Sequence, residues 1–121
     1  MLEPVWNNDE TSPFRGSLKK LERARQHLNE LRELVEGYMN RKPYTVRLHQ
    51  DVEGGDTVVW LSVQEAVPVE DWAIIIGDIV HNLRSALDLL ACTLVRLEDP
   101  TTECKQTSFP IFKTKADFVN N

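Results

Sequence analysis

The stretch from Trp72 to Leu97 constrains this chain more than any other, because 17 of its 26 residues are apolar. Trp72, Ile76, Ile79, Leu83, Ala86, Leu90, Leu94 and Leu97 recur at steps of three and four, the repeat of one helical face. Pro68 and the acidic pair Glu70-Asp71 precede it, suiting the positive end of a helix dipole, and Glu98-Asp99-Pro100 should end it. A helix that covers one side of a core carries an apolar stripe of roughly 100° or somewhat more. This one exceeds that, so one partner helix and a small hairpin cannot cover it. The remaining surface should meet a second copy of the chain, giving a four-helix arrangement from two helical hairpins, or else a further part of a longer chain.

The partner helix is legible upstream. Ser17 is a candidate N-cap, and Leu21, Ala24, Leu28, Leu31, Val35 and Tyr38 follow at heptad spacing, with Lys19, Lys20, Glu22, Arg23, Glu30, Arg32, Glu33 and Glu36 between them. The pattern predicts a helix over 17–40, ended by Asn40 and Pro43. Residues 1–16 read as an irregular lead-in.

Between the two helices lies a β-hairpin. Tyr44, Val46 and Leu48 alternate with Thr45, Arg47 and His49; after the turn cluster Glu53-Gly54-Gly55-Asp56, Val59, Leu61 and Val63 alternate with Trp60, Ser62 and Gln64. A two-stranded hairpin is marginal alone, so one face should pack on a helix, and Trp60 reads as a packing residue. Downstream, Ser108-Phe109-Pro110-Ile111-Phe112 is an extended apolar segment, and Thr114-Lys115-Ala116-Asp117 resembles a capping box with Asp for Glu. A helix that starts there has only four more residues, as in a longer chain cut at this point or a natural C-terminus that frays. The expected class is α+β, mainly α: two long antiparallel helices joined by a β-hairpin, in one domain over 17–121 with an extended tail.

Composition sets limits on function. The net charge of −5 does not favour nucleic-acid binding, which needs a positive surface to neutralise phosphates. The basic start of helix 1 (Lys19, Lys20, Arg23, Arg25) is interrupted by Glu22, Glu30 and Glu33, as in a solvated face. No apolar run approaches the ~20 residues of a bilayer span, and the N-terminus lacks the features of a signal peptide. A cytoplasmic chain is therefore expected, with Cys92 and Cys104 as reduced thiols. Gly54-Gly55 is a turn rather than a phosphate loop, and no other cofactor motif is present.

Opposite the apolar seam of helix 72–97 a wheel places Ile74, Gly77, His81, Arg84, Asp88, Cys92 and Val95. Three polar groups, His81, Arg84 and Asp88, thus interrupt an otherwise apolar face, and Arg84 and Asp88 are four apart and can pair. The commoner use of such residues is structural, an ion pair buried at an interface and fixing its register. The functional alternative is a site where the stripes of two chains meet, with His81 moving a proton, Arg84 holding a phosphate or carboxylate, and Asp88 orienting either. No nucleophile or second carboxylate is tied to them by spacing. Asp78 and His81 have the acid-x-x-His spacing of two metal ligands, but such sites need matching pairs on other helices, and helix 1 offers only His27 and Glu30 in reverse order.

The run Ile76-Gly77-Asp78-Ile79-Val80-His81-Asn82-Leu83-Arg84-Ser85-Ala86-Leu87-Asp88, together with the later Phe109-Pro110-Ile111-Phe112, resembles the signature of a family of uncharacterised bacterial proteins. In that family a Gly-Asp-x-x-His-Asn-Leu-Arg-Ser-Ala-Leu-Asp-His-Leu helix follows a helix–hairpin region and precedes a Phe-Pro-Ile-Phe segment. The likeness covers residues 17–118 and implies a fold more than an activity. The run is also similar to the HEPN ribonuclease pattern, in which an Arg is followed four to six residues later by a His and dimerisation completes the site. Arg84 matches, but Leu89 stands at the His position and no His follows His81. The resulting expectation is a non-catalytic, dimeric helical interaction module with no assigned protein partner. The alternative is a divergent HEPN-like ribonuclease or other hydrolase using His81, Arg84 and Asp88.

Overall fold

The structure, a computed structural model, describes residues 10–50 and 53–119. Its elements in chain order are α1 (Arg15–Asn40), β1 (Tyr44–Gln50), β2 (Thr57–Val63), α2 (Val69–Glu98), a 3-10 turn (Cys104–Gln106) and α3 (Lys115–Val119). The class is the expected one, α+β and mainly helical. The lead-in before residue 10 lies outside the described residues.

α1 begins two residues before the candidate cap. Ser12 supplies the N-terminal turn instead: Phe14 N donates to Ser12 Oγ at 3.3 Å and Arg15 N to Ser12 O at 3.2 Å. Ser17 is therefore inside the helix, and its Oγ is buried with no hydrogen-bond partner among the described residues. At the other end Lys42 takes a left-handed φ of 51°, which turns the chain out of α1 as Lys42 N donates to Met39 O. Asp99 closes α2. Its Oδ1 accepts from Thr101 Oγ1 at 2.7 Å and Thr101 N at 3.0 Å, and these bonds hold its carboxyl below the usual range.

The helices pack antiparallel. Tyr38 near the end of α1 stacks edge-on against Trp72 near the start of α2, with ring centroids 5.5 Å apart. At the opposite end Gly16 lies against Leu89, and Thr93 Oγ1, whose nearer acceptor is Leu89 O at 2.8 Å, comes within 3.3 Å of Pro13 O. Among the described residues Ala24, Tyr38, Pro43, Asn82 and Cys92 are buried, a thin core for two long helices.

Both ends of the hairpin are tied to the end of this helix pair. Gln64 N and Glu65 N donate to Pro43 O, and Tyr38 Oη donates to Glu65 O at 2.8 Å. The Arg41 guanidinium meets the Glu65 carboxylate through Nε and Nη2, at distances of 2.6–3.2 Å, and lowers the Glu65 pKa. The strands pair from Tyr44↔Val63 to Gln50↔Thr57. Contrary to the expectation from sequence, neither face packs on a helix: both strands are exposed throughout, and Trp60 remains 64% exposed instead of packing. The physical reason is the anchoring, which launches the strands from the end of the helix pair rather than back over its side. The register then puts Tyr44, Val46 and Leu48 beside Val63, Leu61 and Val59 on one continuous apolar face, with Arg47 and Trp60 directly opposed on the other.

Candidate functional site

On a wheel of α2 the structure distinguishes three sides. The first faces α1. Trp72 and Leu89 touch α1, Thr93 reaches the segment before it, and Asn82 is buried. That side is rotated from the expected seam, for Ile76, Leu83, Leu94 and Leu97 are exposed. Asn82 is polar, so apolar spacing carries no sign of its burial. It enters the core because its Nδ2 donates to Asp78 O one turn back at 2.8 Å, which meets part of its hydrogen-bonding demand.

The second side carries the polar stripe, and the tail runs across it. Arg84 Nε donates to Asp88 Oδ2 at 3.2 Å, and Arg84 Nη2 lies 3.2 Å from Asp88 Oδ1. The pair then grips the backbone of Phe109 from both directions: Phe109 N donates to Asp88 Oδ1 at 2.9 Å, and Arg84 Nη2 donates to Phe109 O at 3.1 Å. Pro110 disfavours helix at Phe109, so its N–H and C=O point sideways, where a donor and an acceptor one helical turn apart can meet them. Neither contact reads the Phe109 side chain. Within one chain the pair is a backbone clamp, and there its side chains remain 39% and 35% exposed.

A covalent bond fixes the same strap. Cys92 and Cys104 are disulfide-bonded, with Cα atoms 5.4 Å apart, so they are not the reduced thiols expected of them. Spacing alone suggested no link, since the partner cysteine returns only because Asp99 and Pro100 turn the chain back along α2. Arg96 Nε assists by donating to Thr102 O. Pairing Cys104 with Cys92 and Phe109 with Arg84 and Asp88 means that the tail travels toward the N-terminal end of α2. Beyond it Thr114 caps α3, accepting from Asp117 N at 3.2 Å while its hydroxyl donates to Asp117 Oδ2 at 2.8 Å.

His81 lies on this side as well, one turn beyond Arg84. It is exposed and makes no hydrogen bond or ion pair with the described residues, so the structure does not join His81, Arg84 and Asp88 in one hydrogen-bonded constellation. Asp78 is exposed, and no group of three or more His, Cys, Asp or Glu side chains gathers among the described residues. On α1, His27 Nδ1 sits 3.4 Å from Glu30 Oε2, an i,i+3 pair on the surface.

The third side is open and apolar. Val69, Ala73, Ile76, Val80, Leu83, Leu87, Leu90, Leu94 and Leu97 follow at alternating steps of four and three, a complete heptad seam. Val69, Ile76, Val80, Leu83, Leu94 and Leu97 along it are 41–65% exposed. No described helix is long and apolar enough to cross a membrane. Comparison with family models, curated proteins and solved structures gives no match.

Proposed function

We propose that the chain is a non-catalytic interaction module of a bacterial cell that works as a homodimer, joined through the open seam of α2. The observation that carries this reading is the heptad order of that seam, which lies on a side of the helix used neither by α1 nor by the tail. Its six exposed large side chains present on the order of 600 Å² of apolar surface, at the top of the ~300–600 Å² found for the largest patch on a monomeric protein. Heptad spacing of this kind suits left-handed pairing with a second helix, and a second copy supplies the same seam. The non-catalytic part is supported by the engagement of Arg84 and Asp88 with the Phe109 backbone, which occupies the groups a ribonuclease site would use.

Light scattering across a dilution series tests the reading. The expected result is a dimer at micromolar concentration that Val80→Glu with Leu83→Glu converts to a folded monomer, since each charge would be buried without a partner. A wild-type chain that is monomeric at high micromolar concentration, with ordinary thermal stability, overturns it.

A further inference from the structure

The second unpartnered surface is the apolar face of the hairpin. Tyr44, Val46, Leu48, Val59, Leu61 and Val63 lie on one side of the two strands and are 43–72% exposed. They too amount to roughly 600 Å², on a sheet that two strands alone hold only marginally. One chain thus carries a flat apolar sheet face and a ridged apolar helix face that do not meet each other. Sheet faces and helix stripes are the two kinds of surface that domains bury against one another.

We infer that in the dimer each hairpin is an arm that packs its apolar face on the C-terminal half of the partner's α2 seam. The inference rests on the homodimer reading and gives it a specific geometry. Lengths support the assignment. Each strand has seven residues, so the arm reaches about 23 Å at ~3.3 Å per residue. The seam from Leu83 to Leu97 spans about 21 Å at 1.5 Å per residue, and from Val69 to Leu83 about 21 Å again.

If two α2 helices cross antiparallel over their N-terminal halves, Val69 of each lies beside Leu83 of its partner. The hairpin continuing beyond that point then runs alongside the partner's seam from Leu83 toward Leu97, about 21 Å against the arm's ~23 Å. The arrangement is isologous, each arm contacting the seam that the other chain offers, so a two-fold axis satisfies all four surfaces. Area favours this over α2 pairing alone, because adding the arm roughly doubles the apolar surface that each chain removes from water. Hairpins packed face to face on each other would leave Leu94 and Leu97 in water, and so account for less.

The test places a photoreactive residue on the arm, Leu61→benzoylphenylalanine, and maps the cross-link in the intact disulfide-bonded chain by mass spectrometry. Attachment to a peptide of the other chain containing Leu90–Leu97, established with isotopically mixed dimers, is the expected result. Attachment to the partner's hairpin, or no interchain product from a demonstrated dimer, overturns the arm while leaving the dimer standing. A monomer overturns both. A second measurement does not depend on cross-linking: Val46→Thr with Leu61→Thr should raise the dimer Kd at least about tenfold with helical circular dichroism unchanged, because both positions are exposed in the single chain. An unchanged Kd would refute the arm.

Discussion

Replacing Asp88 with alanine tests the backbone clamp, and its effect should be local. The variant removes the acceptor of Phe109 N–H, 2.9 Å away, and the partner of the Arg84 guanidinium, 3.2 Å away. Hydrogen bonds to charged groups contribute roughly 1.5–3 kcal/mol each. Both side chains here are more than a third exposed or close to it, so solvent screening reduces the pair to about 1.5–2 kcal/mol in all. The loss falls on the tail, which the Cys92–Cys104 bond still tethers, and not on the contacts between α1 and α2. Local opening free energies are read by amide hydrogen exchange. At 1.4 kcal/mol per factor of ten, the Phe109 amide should exchange roughly ten to thirty times faster in Asp88→Ala. Asp88→Asn keeps an oxygen for Phe109 N–H and loses the charge facing Arg84, so its increase should be smaller. Unchanged exchange at Phe109 in Asp88→Ala would refute the clamp. An equal rise throughout α1 and α2 would refute its local character.

Three further outcomes are expected. The purified chain should not cleave RNA, and Leu89→His alone should not confer full activity; cleavage abolished by His81→Ala, after controls for contaminating nuclease, would overturn the non-catalytic proposal. Reducing the Cys92–Cys104 bond, which closes a short loop of sequence separation 12, should lower unfolding stability by about 2–3 kcal/mol in the loop-entropy view, with protease cleavage appearing first in residues 99–114. Glu65 has its pKa lowered by the Arg41 hydrogen bonds, so the stability it lends to the hairpin base is present above the ordinary glutamate range and disappears as pH falls through the depressed value; Glu65→Gln should flatten that acid limb, and an NMR titration of Glu65 with an ordinary midpoint would contradict it.

Much of the fold was legible from local patterning. Heptad spacing found both helices to within three residues at each end, and alternation around Gly54-Gly55 found the hairpin. What spacing could not decide was which apolar face of α2 meets α1. Ile76, Leu83, Leu94 and Leu97 satisfy the helical repeat as well as any residues in the chain, yet they are exposed, while Asn82 is buried. Periodicity ranks faces by apolar content, and a face that holds an asparagine ranks low. Packing ranks them by what the neighbour can fill, and Asn82 is admitted because Asp78 O accepts its amide. Only the packing of the hairpin departs from the pattern, for a related reason. Its face is apolar and should be covered, but the cover expected from within the chain is excluded by Pro43, Tyr38, Arg41 and Glu65, which set the exit direction at its base.

The polar stripe shows the same limit at the level of chemistry. His81, Arg84 and Asp88 in an apolar helix read as a site because an unpaired charge among apolar neighbours demands a partner, and the nearest candidates in sequence are each other. The partner for two of them is the peptide group of Phe109, 21 and 25 residues downstream. Peptide groups carry no sequence signature of their own, so a clamp of this kind leaves only indirect marks: an Arg and an Asp one turn apart on a helix, and a distant residue held extended by the proline after it. Both marks are present, in Arg84-Ser85-Ala86-Leu87-Asp88 and in Phe109-Pro110. Their joint occurrence gives the pair a structural task sufficient to account for its charge, and His81, which the tail does not engage, remains the residue whose substitution would separate a chemical role from a purely architectural one.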